Sequence, residues 1–303
     1  MFTVLAVGGA AFAEEPSTAA EPAEVFANQN HIYFQGPDGD LVRGYRCGTP
    51  EPSLAEMAAV AQDLAQHQGA GQRGRKIGVP VAFHVIYKVD EEGHEIGIPP
   101  NEQIEAQIEV LNQAYGEFRF TLDSVDYFEQ TEQEPWFDRC YQQNFRMKRA
   151  LAVSPETTLN IYSCDPHYGK WQLLGFAYLP WSFPEDDYRH GVVLLHSSLP
   201  GGTAVPYDEG DTATHEAGHY FGLLHTFQNG CTEPGDEIDD TPFEATAAFG
   251  CPEGRDTCPQ VGLDPIFNFM DYTDDPCMDH FTTDQDVRMI DMVELYRPTL
   301  LLN

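Results

Sequence analysis

One stretch constrains this chain more than any other: Thr214 to Thr226, T-H-E-A-G-H-Y-F-G-L-L-H-T. His215 and His219 are four apart, so a helix stacks them on one face, where both imidazoles can reach one ion. Glu216 sits beside the first ligand and can reach a water on the metal without being a ligand itself. His225 comes ten residues after His215, about 15 Å along a continuous helix and out of reach of the same ion. The helix must therefore break, and Gly222 is where a left-handed residue can end it and return His225 to the site. Three imidazoles leave a fourth position open, the arrangement of a catalytic zinc rather than a closed structural one. A bare H-E-x-x-H arises in helices by chance; the extension H-E-x-x-H-x-x-G-x-x-H fixes two further positions, Gly222 and His225.

The rest of the chain narrows the setting. Its 303 residues carry 49 acidic and 16 basic side chains, a formal charge of −33. Nucleic acid and anionic membranes are poor partners for such a surface, since both select Lys and Arg clusters. Solubility accounts for most of the excess, with calcium binding and attraction of cationic substrates as functional alternatives. Residues 1–13, M-F-T-V-L-A-V-G-G-A-A-F-A, read as an abbreviated secretory signal ending in a small-x-small cleavage pattern. No later run of about 18 apolar residues exists to span a bilayer. An exported protein with polypeptide substrates and persistent disulfides is expected.

Residues 14–75 form an expected prosegment. Ser53 to Gln66 is amphipathic, with Leu54, Met57, Ala61 and Leu64 at helical spacing. Before it stands R-C-G-T, Arg46 to Thr49, in a segment with no other cysteine. Cys47 reads as a spare thiol, as a partner for another cysteine, or as a thiolate that fills the open zinc position and keeps the site latent. Gly69 to Lys76 is flexible and basic, which suits a linker and an exposed processing site alike.

Residues 76–303 form the expected catalytic domain. Ile77 to Tyr87 is a buried strand, Pro99 to Phe118 an amphipathic helix, and Phe118 to Phe128, Thr158 to Ser163 and Gly191 to His196 further strands. The layout is α/β, with helices behind a twisted mixed sheet. Gly191 to His196 is expected at the sheet edge, where it can pair with an extended peptide across the metal. His84, His94, His167, His190 and His196 lack ligand spacing and read as ordinary histidines. Beyond His225 the chain is loop-rich. Asn229 to Pro242, N-G-C-T-E-P-G-D-E-I-D-D-T-P, offers hard oxygen ligands suited to Ca²⁺ or forms a solvated acidic loop. Cys140, Cys164, Cys231, Cys251, Cys258 and Cys277 allow fifteen pairings, and no C-x-x-C pair exists. Met270 lies in an apolar run, I-F-N-F-M-D-Y-T, the segment that suits the methionine turn expected downstream of the extended zinc motif.

The zinc stretch, the methionine segment and the run S-S-L-P-G-G-T-A-V-P-Y-D-E-G-D-T-A-T-H-E resemble the pappalysin branch of the metzincins, from about Lys76 to about Thr283. The resemblance implies a secreted zinc endopeptidase with a loop-rich, disulfide-bonded lower subdomain, held latent by its own propeptide as intramolecular inhibitor. His215, His219 and His225 would bind zinc, Glu216 would be general base and acid, Met270 the floor beneath the metal, and Tyr272 a transition-state donor. It also implies Cys231–Cys258 and Cys251–Cys277 disulfides, leaving Cys140 with Cys164. Calcium would sit near Asp236, Asp239 and Thr241, and Cys47 would act as a cysteine switch. Asp274 and Asp275 would read a basic residue after the cleaved bond. The rival class is a non-catalytic zinc and calcium adhesion module, which has no use for Glu216.

Overall fold

The computed structural model describes residues 31–67 and 76–302. The expected signal at 1–13, residues 14–30 and most of the basic linker lie outside the described residues. In chain order the elements are β1 (Ile32–Gln35), β2 (Leu41–Cys47), α1 (Leu54–Gln66), β3 (Ile77–Val89), β4 (Glu95–Ile96), α2 (Asn101–Ala114), β5 (Phe118–Glu129), α3 (Trp136–Arg139), α4 (Asn144–Leu151), β6 (Leu159–Cys164), β7 (His167–Tyr168), β8 (Trp171–Phe176), β9 (Val192–Leu195), α5 (Asp211–Tyr220) and α6 (Thr283–Tyr296).

These strands form one mixed sheet in the order β1-β2-β8-β9-β6-β3-β4, with β5 also on β3 and β7 on β8. β3 is its spine, parallel to both β5 and β6. Alternate side chains of the strands enter two cores, as the pleat requires. Val79, Val81, Phe83, Val85, Ile161, Val192 and Leu194 pack with Ile104, Ile108 and Leu111 of α2 and with Ala213, Ala217 and Tyr220 of α5. Ile86, Tyr162, Phe176 and Val193 face the other way, against Trp136, Phe137 and Met147 of α3 and α4.

Two expectations need correction. Residues 191–196 are not an edge strand, because β9 lies between β8 and β6. Its four residues are all buried and apolar, the mark of a strand covered on both faces. β8 separates it from β2, which pairs with β8 in parallel register, Gly44 beside Gln172 and Cys47 beside Gly175. The packing face of α1 is also narrower than its spacing suggests: Met57 and Val60 are buried, whereas Leu54 is 62% exposed. Ser53 closes a capping box with Glu56, so the first turn is secured by hydrogen bonds and Leu54 is left in solvent.

Three disulfides join Cys140 to Cys164, Cys231 to Cys258 and Cys251 to Cys277. Cys47 is the remaining cysteine, reduced and buried. No described helix is long and apolar enough to cross a membrane.

Candidate metal centre

Every residue of α5 is buried, so its polar side chains need partners inside the protein. The helix stops at Gly222, whose φ of 98° is left-handed. Gly222 N–H donates to His219 O and Leu223 N–H to Gly218 O, the paired bonds of a Schellman turn. The same turn aims Leu223 O at His219 Nδ1, 2.8 Å away. His225 then returns under the helix, with its Nε2 3.0 Å from His219 Nε2. Beneath α5 runs the methionine segment. A Cβ on Gly218 would come within 2.4 Å of Met270 Sδ, so glycine is what allows this close approach. Phe269 O meets His215 Nδ1 at 2.7 Å.

These contacts set the tautomers. A carbonyl only accepts, so His215 and His219 carry their protons on Nδ1 and turn Nε2 lone pairs toward each other's neighbourhood. His215 Nε2 is buried with no hydrogen-bond partner. His219 Nε2 and His225 Nε2 face each other at 3.0 Å, close enough to share one cation. That spacing is near the roughly 3.3 Å expected for nitrogens about 2.0–2.1 Å from a tetrahedral zinc. Cys47 Sγ joins the three imidazoles, and the four ligand atoms lie within 4.8 Å of one another. The donor set therefore fits a divalent metal with three nitrogens and one sulfur.

Burial dominates the electrostatics. It lowers the His215 pKa well below the ordinary value, with His219 and His225 adding to the shift, and lowers His219 to about 4. Both stay neutral and able to ligate at physiological pH. Burial raises Glu216 to about 7, opposed by hydrogen bonds and by the Arg46 and Lys148 charges. Burial and then the Glu216 charge push the Cys47 thiol well up when no metal holds it. Tyr272 is buried, with its hydroxyl 3.1 Å from His225 Nε2.

Residues 46–49 fill the space in front of this cluster. Thr49 Oγ1 donates to Glu216 Oε2 and accepts the Ala177 N–H, each at 2.9 Å. Arg46 is fully buried; its Nη1 donates to Thr212 Oγ1 at 2.6 Å and its Nη2 stands 3.5 Å from Asp275 Oδ1. Asp274 lies beside Tyr207, whose ring the Arg46 guanidinium faces at 5.1 Å. Reasoning from sequence gave no role to Thr49, Arg46 or Thr212; the R-C-G-T tetrapeptide was the only signal available.

The calcium candidates lie apart from the metal cluster. Asp236, Asp239 and Thr241 line one cavity of about 490 Å³ with Glu233, Glu237 and Arg288. Asp236 is buried and takes the Thr241 hydroxyl on its carboxylate, while Asp239 is exposed. Of the remaining histidines, His84 is bonded to Asn160 and His190 to Pro184 O, and neither joins the cluster.

The chain is similar to known proteins. A family model described as pregnancy-associated plasma protein-A matches residues 149–294. An extracellular metalloprotease of Podospora anserina is 38% identical over 274 residues, covering 84% of this chain and 91% of the relative. One from Neurospora crassa is 36% identical over 293 residues, 93% of this chain and 95% of its own length. Among solved structures, a promirolysin mutant from Tannerella forsythia superposes with a TM-score of 0.70 at 23% identity, covering 85% of this chain and 97% of that one. Mature mirolysin in complex with a cleaved peptide gives 0.64 at 27% identity, with 76% and 97% coverage.

Proposed function

The chain belongs to the pappalysin family of metzincin metalloproteases, and from that premise we propose that it is a secreted zinc endopeptidase made as a latent zymogen. Residues 1–13 are then a signal, 14–75 the prosegment and 76–303 the catalytic domain. The observation that carries this reading is the convergence of His215, His219 and His225 Nε2 atoms beside the Glu216 carboxylate. Zinc held there would act as a Lewis acid, lowering the pKa of a water and polarising a carbonyl.

The protein's own groups do the rest. Glu216 takes a proton from the attacking water and returns it to the leaving nitrogen, and a carboxyl pKa of about 7 suits both directions near neutrality. The Tyr272 hydroxyl donates to the oxyanion that develops on the substrate carbonyl. Met270 supports the ligand set from below through its contact with Gly218. The Nδ1 bonds to Phe269 O and Leu223 O hold two imidazoles in their ligating tautomer.

Latency follows from Cys47, whose sulfur would complete the metal's coordination and exclude water. A preference for a basic residue after the cleaved bond is supported by Arg46: a buried guanidinium of the prosegment already rests between Thr212 and Asp275. Asp274, which interacts with Tyr207 beside the Arg46 guanidinium, would assist Asp275 in that reading. Cleavage around Arg73 to Lys76 would release the prosegment, and the active enzyme could make that cut itself. Structural calcium is assigned to the cavity of Asp236, Asp239 and Thr241, where burial raises Asp236 to about 7 in the absence of a cation.

The deciding experiment is hydrolysis of a quenched peptide with arginine after the scissile bond. Glu216→Ala is expected to keep stoichiometric zinc and lose several orders of magnitude in kcat/KM. Near-normal turnover in that variant would remove Glu216 from its role, whereas absence of hydrolysis by the zinc-loaded native chain freed of residues 14–75 would leave the adhesion-module reading in its place.

A further inference from the structure

We propose that Thr49 is a second lock on the latent site, acting on Glu216 while Cys47 acts on the metal; this rests on the reading of residues 14–75 as a prosegment. The two locks differ in kind. Sulfur would satisfy a metal, whereas a hydroxyl satisfies a carboxylate and a peptide N–H at once.

The geometry is specific to a hydroxyl. Thr49 Oγ1 uses its proton on Glu216 Oε2 and its lone pair on the Ala177 N–H, both at 2.9 Å and both buried. Ala177 immediately follows β8, so this one atom ties the end of that strand to α5. The backbone around it is seated closely: Gly48 N–H donates to Gly175 O, and Thr49 N–H points at Cys47 Sγ from 3.3 Å. A Cβ on Gly175 would come within 2.8 Å of Glu216 Cγ, so a larger residue there would displace the carboxylate. With water shut out, Glu216 Oε2 and the Ala177 N–H have Thr49 as their replacement for solvent. Removing the hydroxyl strands both groups in the closed state and costs nothing in the open, hydrated one. Opening therefore becomes easier even though Cys47 is untouched.

Cys47 supplies the readout, because the other six cysteines are in disulfides and its thiol is buried. The reaction of the zinc-loaded full chain with a chromogenic disulfide reagent such as dithiobis-nitrobenzoate reports opening without requiring activity. Thr49→Val is expected to raise the modification rate at least about tenfold, as for a lost hydrogen bond to a charged group. Thr49→Ser keeps the hydroxyl and should stay within about twofold of the native rate. Glu216→Ala removes the same bond from the other side and should also open the site about tenfold, and Thr49→Val should then add clearly less than tenfold, through the Ala177 N–H alone. A native rate in Thr49→Val, or a full tenfold added on top of Glu216→Ala, overturns the proposal. Should Thr49→Val fail to fold, a native rate in Glu216→Ala overturns it equally. The cobalt-loaded chain separates the underlying reading: absence of thiolate-to-cobalt absorption in the native zymogen sinks the role of Cys47, and with it the two-lock scheme, whatever the Thr49 variants do.

Discussion

Residues 77–225 and residues 226–282 bury their interiors by different means. The first span is strands and helices whose apolar faces meet in two cores. The second has no α-helix and no ladder beyond an isolated bridge between Asn268 and His280. Its order comes from two disulfides and from buried polar groups converging on Arg255. Arg255 pairs with Glu244 and Asp264 and donates to Thr246 O, while Asp271 accepts the Ala248 and Tyr272 N–H groups. The loop half nevertheless supplies Met270, Tyr272 and Asp275 to the site. Side chains there are positioned by cross-links and charge, whereas those of α5 are positioned by packing, so the two halves should fail under different insults.

Arg255→Ala should have the largest effect on stability. It leaves the Glu244 and Asp264 carboxylates buried without their cation, at a cost of about 3–5 kcal/mol. Hydrogen exchange should show residues 244–271 opening while β3 and β6 stay protected; uniform loss of protection would erase the distinction between the halves. Next, opening the Cys251–Cys277 disulfide with paired Ser substitutions should cost about 2–4 kcal/mol. Ile161→Ala in the sheet core should cost a similar amount. The first should lower activity before global unfolding in a thermal ramp, and the second should lower both together.

Tyr272→Phe is smaller: a ten- to hundredfold fall in kcat, about 1.4–2.7 kcal/mol, with Tm and metal content unchanged. A matching loss of Tm would make Tyr272 a packing residue. The gentlest test is pH. Burial, followed by repulsion from Asp271, raises the Glu244 carboxyl above the ordinary range, and burial, with a small push from Asp264, raises Asp271. Folded-state values above unfolded ones mean that stability is complete below about pH 4 and is lost as pH rises through the folded values. Hydrogen exchange in the loop half should thus accelerate from about pH 5 to pH 9 beyond its intrinsic rise, and that of β6 should not.

Legibility followed locality. The spacing of His215, His219 and Gly222 carries its own geometry, because a helical repeat and a left-handed glycine are local rules. Buried strands at 77–87 and 158–163 were likewise visible as β-branched, apolar runs, which the structure places at 77–89 and 159–164. The neighbour of a strand is not a local property: V-V-L-L reads the same at an edge or in the middle, so β9 was misplaced. The face of α1 was misread because the cap that secures Leu54's turn does not change its hydrophobicity. Arg46 and Thr49 meet Asp275 and Glu216 across more than 160 residues of chain, a relation that no spacing encodes. In the loop half the pairing of cysteines came from resemblance alone, since periodicity has nothing to count there.

The central claim is that the turn at Gly222 assembles three imidazoles around one zinc, with Cys47 sulfur as fourth ligand until the prosegment leaves. X-ray absorption at the zinc edge of the full chain tests it most directly. The account predicts one zinc per chain with three nitrogen ligands and one sulfur, the sulfur being replaced by oxygen after prosegment removal. A sulfur-free shell in the full chain, or unaltered zinc ligation in His225→Ala, would contradict it.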